Sequence, residues 1–518
     1  MASLAPKGPQ EEVVEPEWQH LPDRVAKAFE GKTVFITGGT GLVGKVLVDK
    51  ILRCCRGVKK MFLLVRAKKG KSGMERIDSL FESPLFDLLK SDKSNDFRAK
   101  VFPISGDVSL KDLGISHEDR KLLAEEVNIV YHSAASVRFD DPFKKIVIMN
   151  VRGCKYMLEL ANEIKNLQLY FHVSTAYAHT REKVLEEKMY DPPANPHDVL
   201  KLIELLSEEV LDTIAPKLME GYPNSYGFTK GLGEALVNEE IRKGKLPVVI
   251  IRPSVVIPLY RYPLPGWSDN MNGPAGLLIA AGKGVLRTMY MPKTTYADFA
   301  PVDLVGNALC VITYAYLSYP ENRKTWSVIN ITTSSVVKFT WKEIIELGRH
   351  LVVTKVPFNW VPWYPGGGVT TCYYHHTINF YLKQILPAII GDAILSCLRI
   401  EPVLMKIQRR ISKGYEVFHY YTSNQWNFVN KNLLAMRDDV LNEREAAVYM
   451  LDDENLDIEK YFLNCMIGAR RYLMHEPDET LPTAMRHMKV MYAVDKLFQI
   501  LLYYLAFCFL YKIYQSIF

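Results

Sequence analysis

The chain has 518 residues, 48% hydrophobic and 24% charged, with 64 Lys and Arg against 58 Asp and Glu for a formal charge of +6. That is globular, and too long for one simple core, so two or three folded units are expected. The basic residues are dispersed, which excludes nucleic acid as an expected partner; the slight cationic bias suits an anionic cofactor, an anionic thioester carrier or a membrane face.

Residues 1–22 read as a polar, acidic, flexible tail without the apolar stretch of a signal peptide. Asp23 to Phe29 is expected as a short helix. Thr33 to Gly44 (TVFITGGTGLVG) is the stretch that organises the rest of the chain. Val34, Phe35 and Ile36 form a buried strand, Gly38, Gly41 and Gly44 a turn, and Leu42 to Leu52 an apolar helix. Glycine lets the backbone approach a ligand, and the free N–H groups of a helix start attract phosphate. The backbone from Gly38 through Thr40, Gly41, Leu42, Val43 and Gly44 is therefore expected to hold a dinucleotide pyrophosphate, although the spacing is Gly-x-x-Gly-x-x-Gly.

Apolar strands then recur at Lys60–Val65, Val101–Ser105, Ile129–His132, Leu169–Val173 and Val248–Ile251, with helical or polar stretches between them. Gly70 to Lys100 reads as a polar, helical insertion and Phe143 to Ile164 as a helix. Short apolar runs separated by helices predict a parallel sheet covered on both faces, with ligands beyond the carboxyl ends of its strands. From Arg252 the regularity fades. Ile257 to Pro292 is rich in Pro and Gly and expected as loops over a cleft, followed by helices at Val302–Tyr316 and Trp341–His350.

Tyr226 and Lys230 stand four apart at the start of a helical pattern, which places both on one face. A cationic lysine beside a tyrosine is expected to favour the phenolate and ease proton exchange. Ser174-Thr175 closes the Leu169–Val173 strand, where a hydroxyl can hold a substrate oxygen while Tyr226 donates a proton. Arg66 follows the second strand, where an NAD-preferring protein places an acidic residue; Arg66 with Lys68 and Lys69 suits the 2′-phosphate of NADPH instead.

The glycine turn, the strand-end hydroxyl and the Tyr/Lys pair, in this order, resemble the extended short-chain dehydrogenase/reductase superfamily. The resemblance implies a Rossmann-type doubly wound α/β fold. It makes Thr175, Tyr226 and Lys230 the catalytic set, with Ser174 the rival for Thr175, and it gives Lys230 a second role on the nicotinamide ribose. It matches Asp107 and Val108 to an adenine-contacting pair, and Ser133, Ala134 and Ala135 to the strand end on which the dinucleotide lies. Asn150 matches a structural asparagine, and Arg252-Pro253-Ser254 the segment closing the nicotinamide pocket. More narrowly, TVFITGGTGLVGKVLVDKIL, KMFLLVRAKKG, HVSTAY, YPNSYGFTKGLGE and VVIIRPSVV look like the fatty acyl-CoA reductases, with a looser match at Tyr415–Phe428. That implies NADPH as cofactor and long-chain fatty acyl-CoA as substrate, reduced to the primary alcohol. A hydroxysteroid or sugar-nucleotide dehydrogenase, and a scaffold that binds NADPH without turnover, are the competing readings.

The eight cysteines form no Cys-x-x-Cys pair, and none is near a candidate site in sequence, so free thiols in a reducing cytosol and no covalent thioenzyme step are expected. The pair His375-His376 has no accompanying carboxylate or cysteine and is read as aromatic packing; no metal is expected. Leu497 to Tyr511 carries no charge and extends to Phe518 with only Lys512, enough for a transmembrane tail anchor if Lys512 snorkels. Arg486, His487, Lys489 and Lys496 before it put the catalytic part on the cytosolic side, at the endoplasmic reticulum or peroxisome. Phe380–Leu398 is expected as a core or interfacial helix. The divisions are then 1–22 tail, 23–356 NAD(P)-binding domain with substrate loops, 357–473 helical unit, 474–496 linker and 497–518 membrane anchor.

Overall fold

The structure, a computed structural model, describes residues 17–66, 72–139, 141–271, 274–452, 454 and 456–517. Residues 1–16 of the expected tail, Lys68 and Lys69 of the basic loop, Gly70 at the start of the insertion, and Phe518 lie outside the described residues.

Seven strands form one sheet: β1 (Thr33–Thr37), β2 (Lys60–Val65), β3 (Val101–Ser105), β4 (Ile129–His132), β5 (Leu169–Val173), β6 (Val248–Pro253) and β7 (Val328–Ile331). Their order is β7-β6-β5-β4-β1-β2-β3, and every pairing is parallel. The order reverses between β1 and β4, the crevice where doubly wound sheets bind ligands. Both faces are buried, which is why the strands are continuous apolar runs. Val34 and Ile36 pack with Leu47, Ile51 and Leu304 on one face, while Phe35 and its register partner Val130 pack into the core on the other.

The sequence pattern stops the sheet at the sixth strand. The structure adds β7 at the edge, paired with β6 through Val328↔Ile250 and Ile331↔Pro253. The Pro/Gly-rich region after β6 also contains a helix, Pro274–Gly282. The helices Val302–Ser318 and Trp341–Thr354 lie where expected, the second opened by a Thr340/Glu343 capping box.

A third core joins Leu277, Met289, Leu351 and Phe358 to Tyr461, Phe462, Met466 and Met488. Leu433, Met436 and Tyr449 return to the first core beside the sheet. There Arg24 grips Glu445 through its side chain at 2.7 Å and 3.1 Å.

Two helices, Tyr373–Cys397 and Asp478–Ser516, are long and apolar enough to cross a membrane. Phe380–Leu398 is not a core helix: Ile389, Ile390 and Ile394 are exposed. The stretch expected as a linker is helical from Leu481, continuous with the exposed apolar residues from Leu497 onward.

Candidate active site

The glycine turn meets the steric demands of a phosphate cradle. Gly38 has φ +75°, and a Cβ there would meet the backbone nitrogen of Ala134 at 2.8 Å. A Cβ on Gly44 would sit 2.2 Å from the carbonyl oxygen of Gly38, so that position also excludes a side chain. Gly41 is the N-cap of the Leu42–Cys54 helix, with no side chain covering the helix start. Thr40, Leu42 and Val43 are half-buried along the same turn. The neighbouring strand end is tied down by Thr37, whose hydroxyl accepts from the backbone N–H of Ala134 at 3.2 Å and bonds His132 Nδ1 at 2.8 Å. Ser133 donates its N–H to the Thr37 carbonyl.

Arg66 and Asp107 close the other end of the cradle. Arg66 Nε lies 3.2 Å from Asp107 Oδ2, while Asp107 Oδ1 accepts from the backbone and hydroxyl of Ser109 at 2.9 Å and 2.8 Å. The Arg66 side chain is 55% exposed, so its guanidinium can reach an incoming phosphate. Val108 is buried, packed against Gly153, and can serve a ligand only through its backbone. These residues fit an adenosine dinucleotide: a cradle that Cβ atoms would fill, a fixed acceptor in Asp107 and an exposed cation beside it.

The residues expected to carry acid–base chemistry sit at the carboxyl edge of β5. The Ser225–Lys243 helix is capped by Asn224, which accepts from Gly227 N–H, and it carries Tyr226 in its first turn. Thr175 lies close enough to the Tyr226 hydroxyl to favour its ionised form. Ser174 Oγ is buried without a hydrogen-bond partner among the described residues. Thr175, not Ser174, is thus brought to the tyrosine. Phe139 meets the Tyr226 ring edge-on at 5.7 Å. Pro253 is joined to the same edge, its carbonyl accepting from Ala176 N–H at 2.8 Å.

Lys230 is buried and donates to the carbonyl of Val173 at 2.7 Å, with its ammonium 6.0 Å from the Tyr226 ring centre. Burial pushes the Lys230 ammonium down to about 8. Burial also pushes the Tyr226 phenol up to about 12, against the opposing influence of Thr175. Burial is thus the dominant influence on Tyr226 and holds its proton, the opposite direction to the lysine-favoured phenolate expected from the spacing. A reduction calls for that state, because the residue must give a proton up.

Of the supports of this set, Asn150 and Arg252 are marked in the sequence by resemblance, while Glu234 and His179 are missed. Asn150 lies in a π turn, Ile148–Arg152, where its Oδ1 accepts from Ser136 N–H at 2.8 Å and its Nδ2 donates to the Thr229 hydroxyl at 3.0 Å. One turn beyond Lys230, Glu234 accepts from Arg252 at 2.7 Å and 3.0 Å and bonds His179 Nε2 at 2.8 Å. Burial alone would raise the Glu234 carboxyl; Arg252 and His179 together hold it well below the usual carboxylate range. The i, i+4, i+8 spacing of Tyr226, Lys230 and Glu234 is the signal that could have found it.

The buried atoms of His132, Cys154 and His172 also converge, within 4.8 Å of one another. Burial, with Lys230 nearby, pushes His132 well below its ordinary value and His172 down to about 3, so both imidazoles are neutral. Burial holds the Cys154 thiol up at about 12. A metal cation would have to share this site with the Lys230 ammonium and without a carboxylate in the set, so the cluster is read as packing. Cys154 lies closer to the site than its sequence position indicates, but a thiol kept protonated is no nucleophile.

The helical region supplies one wall. Tyr421 accepts from Asn224 Nδ2 at 2.8 Å, and Tyr177 stacks edge-on against Tyr421, Trp426 and Phe428 at 5.1 to 5.5 Å. Trp426 Nε1 donates to the Thr180 carbonyl at 3.1 Å.

A family model for the NAD-binding part of male sterility proteins matches residues 36–309, and a model for their Sterile segment matches residues 383–476. Fatty acyl-CoA reductase 1 of Rattus norvegicus is 36% identical over 470 residues, covering 90% of this chain and 89% of the relative. The chain belongs to the fatty acyl-CoA reductase family. Within it, fatty acyl-CoA reductase wat of Drosophila melanogaster is 36% identical over 88% of this chain and 87% of its own. The human fatty acyl-CoA reductase 1 is 36% identical over 90% and 89%.

Among solved structures, the terminal R domain of a myxalamid PKS-NRPS pathway superposes with a TM-score of 0.55 at 18% identity, over 86% of this chain and 93% of that one. A reductase domain of a nonribosomal peptide synthetase from Mycobacterium tuberculosis gives 0.55 at 20% identity, over 87% and 96%. At that identity the likeness is one of fold, and it extends past the sheet into the helical region that this fatty acyl-CoA reductase family member places against Tyr177.

Proposed function

We propose that this chain reduces long-chain fatty acyl-CoA to the primary fatty alcohol, using NADPH for both hydride transfers, with Tyr226 as proton donor. It is an NAD(P)-dependent oxidoreductase of the fatty acyl-CoA reductase family. The observation that carries the reading is that Tyr226, with Thr175 close to it, stands beside Lys230 at the edge of β5 in a chain whose glycine turn is shaped for a dinucleotide.

The cradle from Gly38 to Gly44 would hold the pyrophosphate, Asp107 the adenine, Arg66 the 2′-phosphate and Lys230 the nicotinamide ribose. Bound there, NADPH supplies hydride to a carbonyl carbon. Thr175 and Tyr226 hold the carbonyl oxygen by donated hydrogen bonds as negative charge grows on it. Tyr226 then passes its proton to that oxygen. The first reduction gives a hemithioacetal, whose hydroxyl would return its proton to Tyr226 as the carbonyl re-forms and CoA leaves as the thiolate, giving an aldehyde. After exchange of spent cofactor, the same two hydroxyls serve the aldehyde, because each step adds hydride to carbon and a proton to oxygen. The aldehyde stays bound by its chain, at about 0.8 kcal/mol per buried CH₂.

The apolar helix from Leu497 is read as the membrane anchor, with the enzyme on the cytosolic side at the endoplasmic reticulum or peroxisome. Both the acyl chain and the alcohol partition into lipid, which suits an anchored enzyme.

The test is an incubation of the full chain with a panel of acyl-CoAs and NADPH, with lipid analysis and cofactor accounting. The expected result is alcohol at two NADPH per molecule with little free aldehyde. Accumulated aldehyde at one NADPH each would overturn the four-electron reaction.

A further inference from the structure

Two apolar cavities lie side by side in the third core, with two lining residues in common. The first, about 760 Å³ of empty space counting its opening to solvent, is lined at one end by Leu42 on the dinucleotide turn and by Val256, just beyond the Pro253 edge. It runs between the sheet domain and the helix carrying Met466. The second, about 500 Å³, shares Leu278 and Met466 with the first and ends at Arg287 and Met289. Leu278 and Met466 thus line both cavities and stand between them.

The far end of the second cavity is where both long apolar helices leave the folded body. Gln384 of the first helix accepts from the backbone N–H groups of Arg287 and Thr288 at 2.8 Å and 3.0 Å. Asp495 of the second accepts from the Arg287 guanidinium at 2.8 Å and from Trp363 Nε1 at 2.6 Å. Beyond these buried roots both helices expose apolar side chains, Ile389 and Ile394 on one, Leu501 and Leu505 on the other. The two roots converge on a residue that also walls the cavity.

We propose that the two cavities join into one passage, the fatty-chain site of the enzyme: the thioester carbonyl lies at Tyr226, the chain threads past Leu42, Leu278 and Met466, and its methyl end points toward Arg287 and the bilayer in which the two helices sit. The proposal rests on the acyl-CoA function proposed for this chain. It assigns chain-length selection to the Leu278/Met466 junction, since a chain that stops short of it gains nothing from the second cavity and a longer one must pass through it.

Leu278→Trp and Met466→Trp would plug the junction. In full-length protein in phospholipid vesicles, each is expected to lower the kcat/KM ratio of a long-chain over a medium-chain acyl-CoA by about tenfold or more, because the distal methylenes lose their burial. An unchanged ratio in both folded variants would overturn the proposal. A second measurement needs no variant. A long-chain acyl-CoA carrying a diazirine at its methyl end, photolysed on the wild-type chain, is expected to label the peptides containing Arg287–Met289 or Gly367–Gly368. Label confined to other peptides would overturn it equally. The label reports occupancy and not turnover, so wild-type protein that is labelled there yet reduces no acyl-CoA would count against the reaction and in favour of the passage.

Discussion

The ammonium of Lys230 is held on the carbonyl of Val173 at 2.7 Å, the last residue of the strand that leads into Ser174 and Thr175. Burial brings its pKa down to about 8. Below that pH the side chain is a cation ready for the ribose hydroxyls; above it the charge is gone. Free-enzyme affinity for NADPH should therefore fall as pH rises through about 8. Fluorescence titration from neutral to alkaline pH checks this, and Lys230→Arg should move the break upward. An affinity flat across that range in the wild type would remove Lys230 from the cofactor site.

Tyr226→Phe deletes one hydroxyl and keeps the ring against Phe139. Turnover should fall by roughly 10²- to 10⁴-fold, the usual worth of a positioned proton donor, while NADPH affinity changes little. Steady-state rates and direct binding on the same preparation separate the two. Normal turnover would mean that the proton comes from elsewhere.

Arg66→Asp turns the cation beside Asp107 into a second carboxylate. Loss of a charge-assisted contact to the 2′-phosphate should weaken NADPH by roughly tenfold to a hundredfold and leave NADH much less affected. Equal losses for both cofactors would place Arg66 away from that phosphate.

Acid stability should carry the signature of His172. Its imidazole is neutral in the folded state, with a pKa near 3 against an ordinary value of 6.5. Between those values the unfolded chain binds a proton that the native state refuses, so stability is lost as pH falls through the window and regained as it rises. Denaturant midpoints measured across the window should drop toward acid, and His172→Leu should flatten the slope. An identical slope in the variant would assign the effect to other groups.

Removing Leu497 to Phe518 should release the protein from membranes while activity on detergent-dispersed acyl-CoA persists, since the helix is exposed along this stretch. Fractionation of the truncated chain decides it. If the truncated protein still pellets with membranes, the Tyr373–Cys397 helix is a second attachment.

Much of the sheet domain can be read directly from residues, because strands buried on both faces must be apolar throughout and Gly38 and Gly44 have no room for a side chain. β7 escapes notice because Val328-Ile-Asn-Ile is short, interrupted by Asn330, and comes after a region dominated by Pro and Gly. Tyr226 and Lys230 are legible from their spacing on one helix. The balance of their charges is not, since enclosure of the tyrosine depends on Phe139 and on residues far along the chain. Nor do His132 and His172 announce themselves. They are members of adjacent strands, and only the register His132↔His172 brings them together.

The aromatic wall on Tyr177 has an implication for how such a chain can be divided. Asn427 pairs with Val184 and Phe428 with Leu185, while Asn330 of β7 donates to the carbonyls of Leu185 and Val429. Glu187 accepts from the backbones of Asn330 and Asn432 at 3.0 Å and 2.7 Å, stitching the sheet edge to the late segment. The two matched family segments are therefore not interchangeable cassettes. A fragment encoding the first alone would leave an open seam beside Tyr226, so the two segments are expected to fold as one piece.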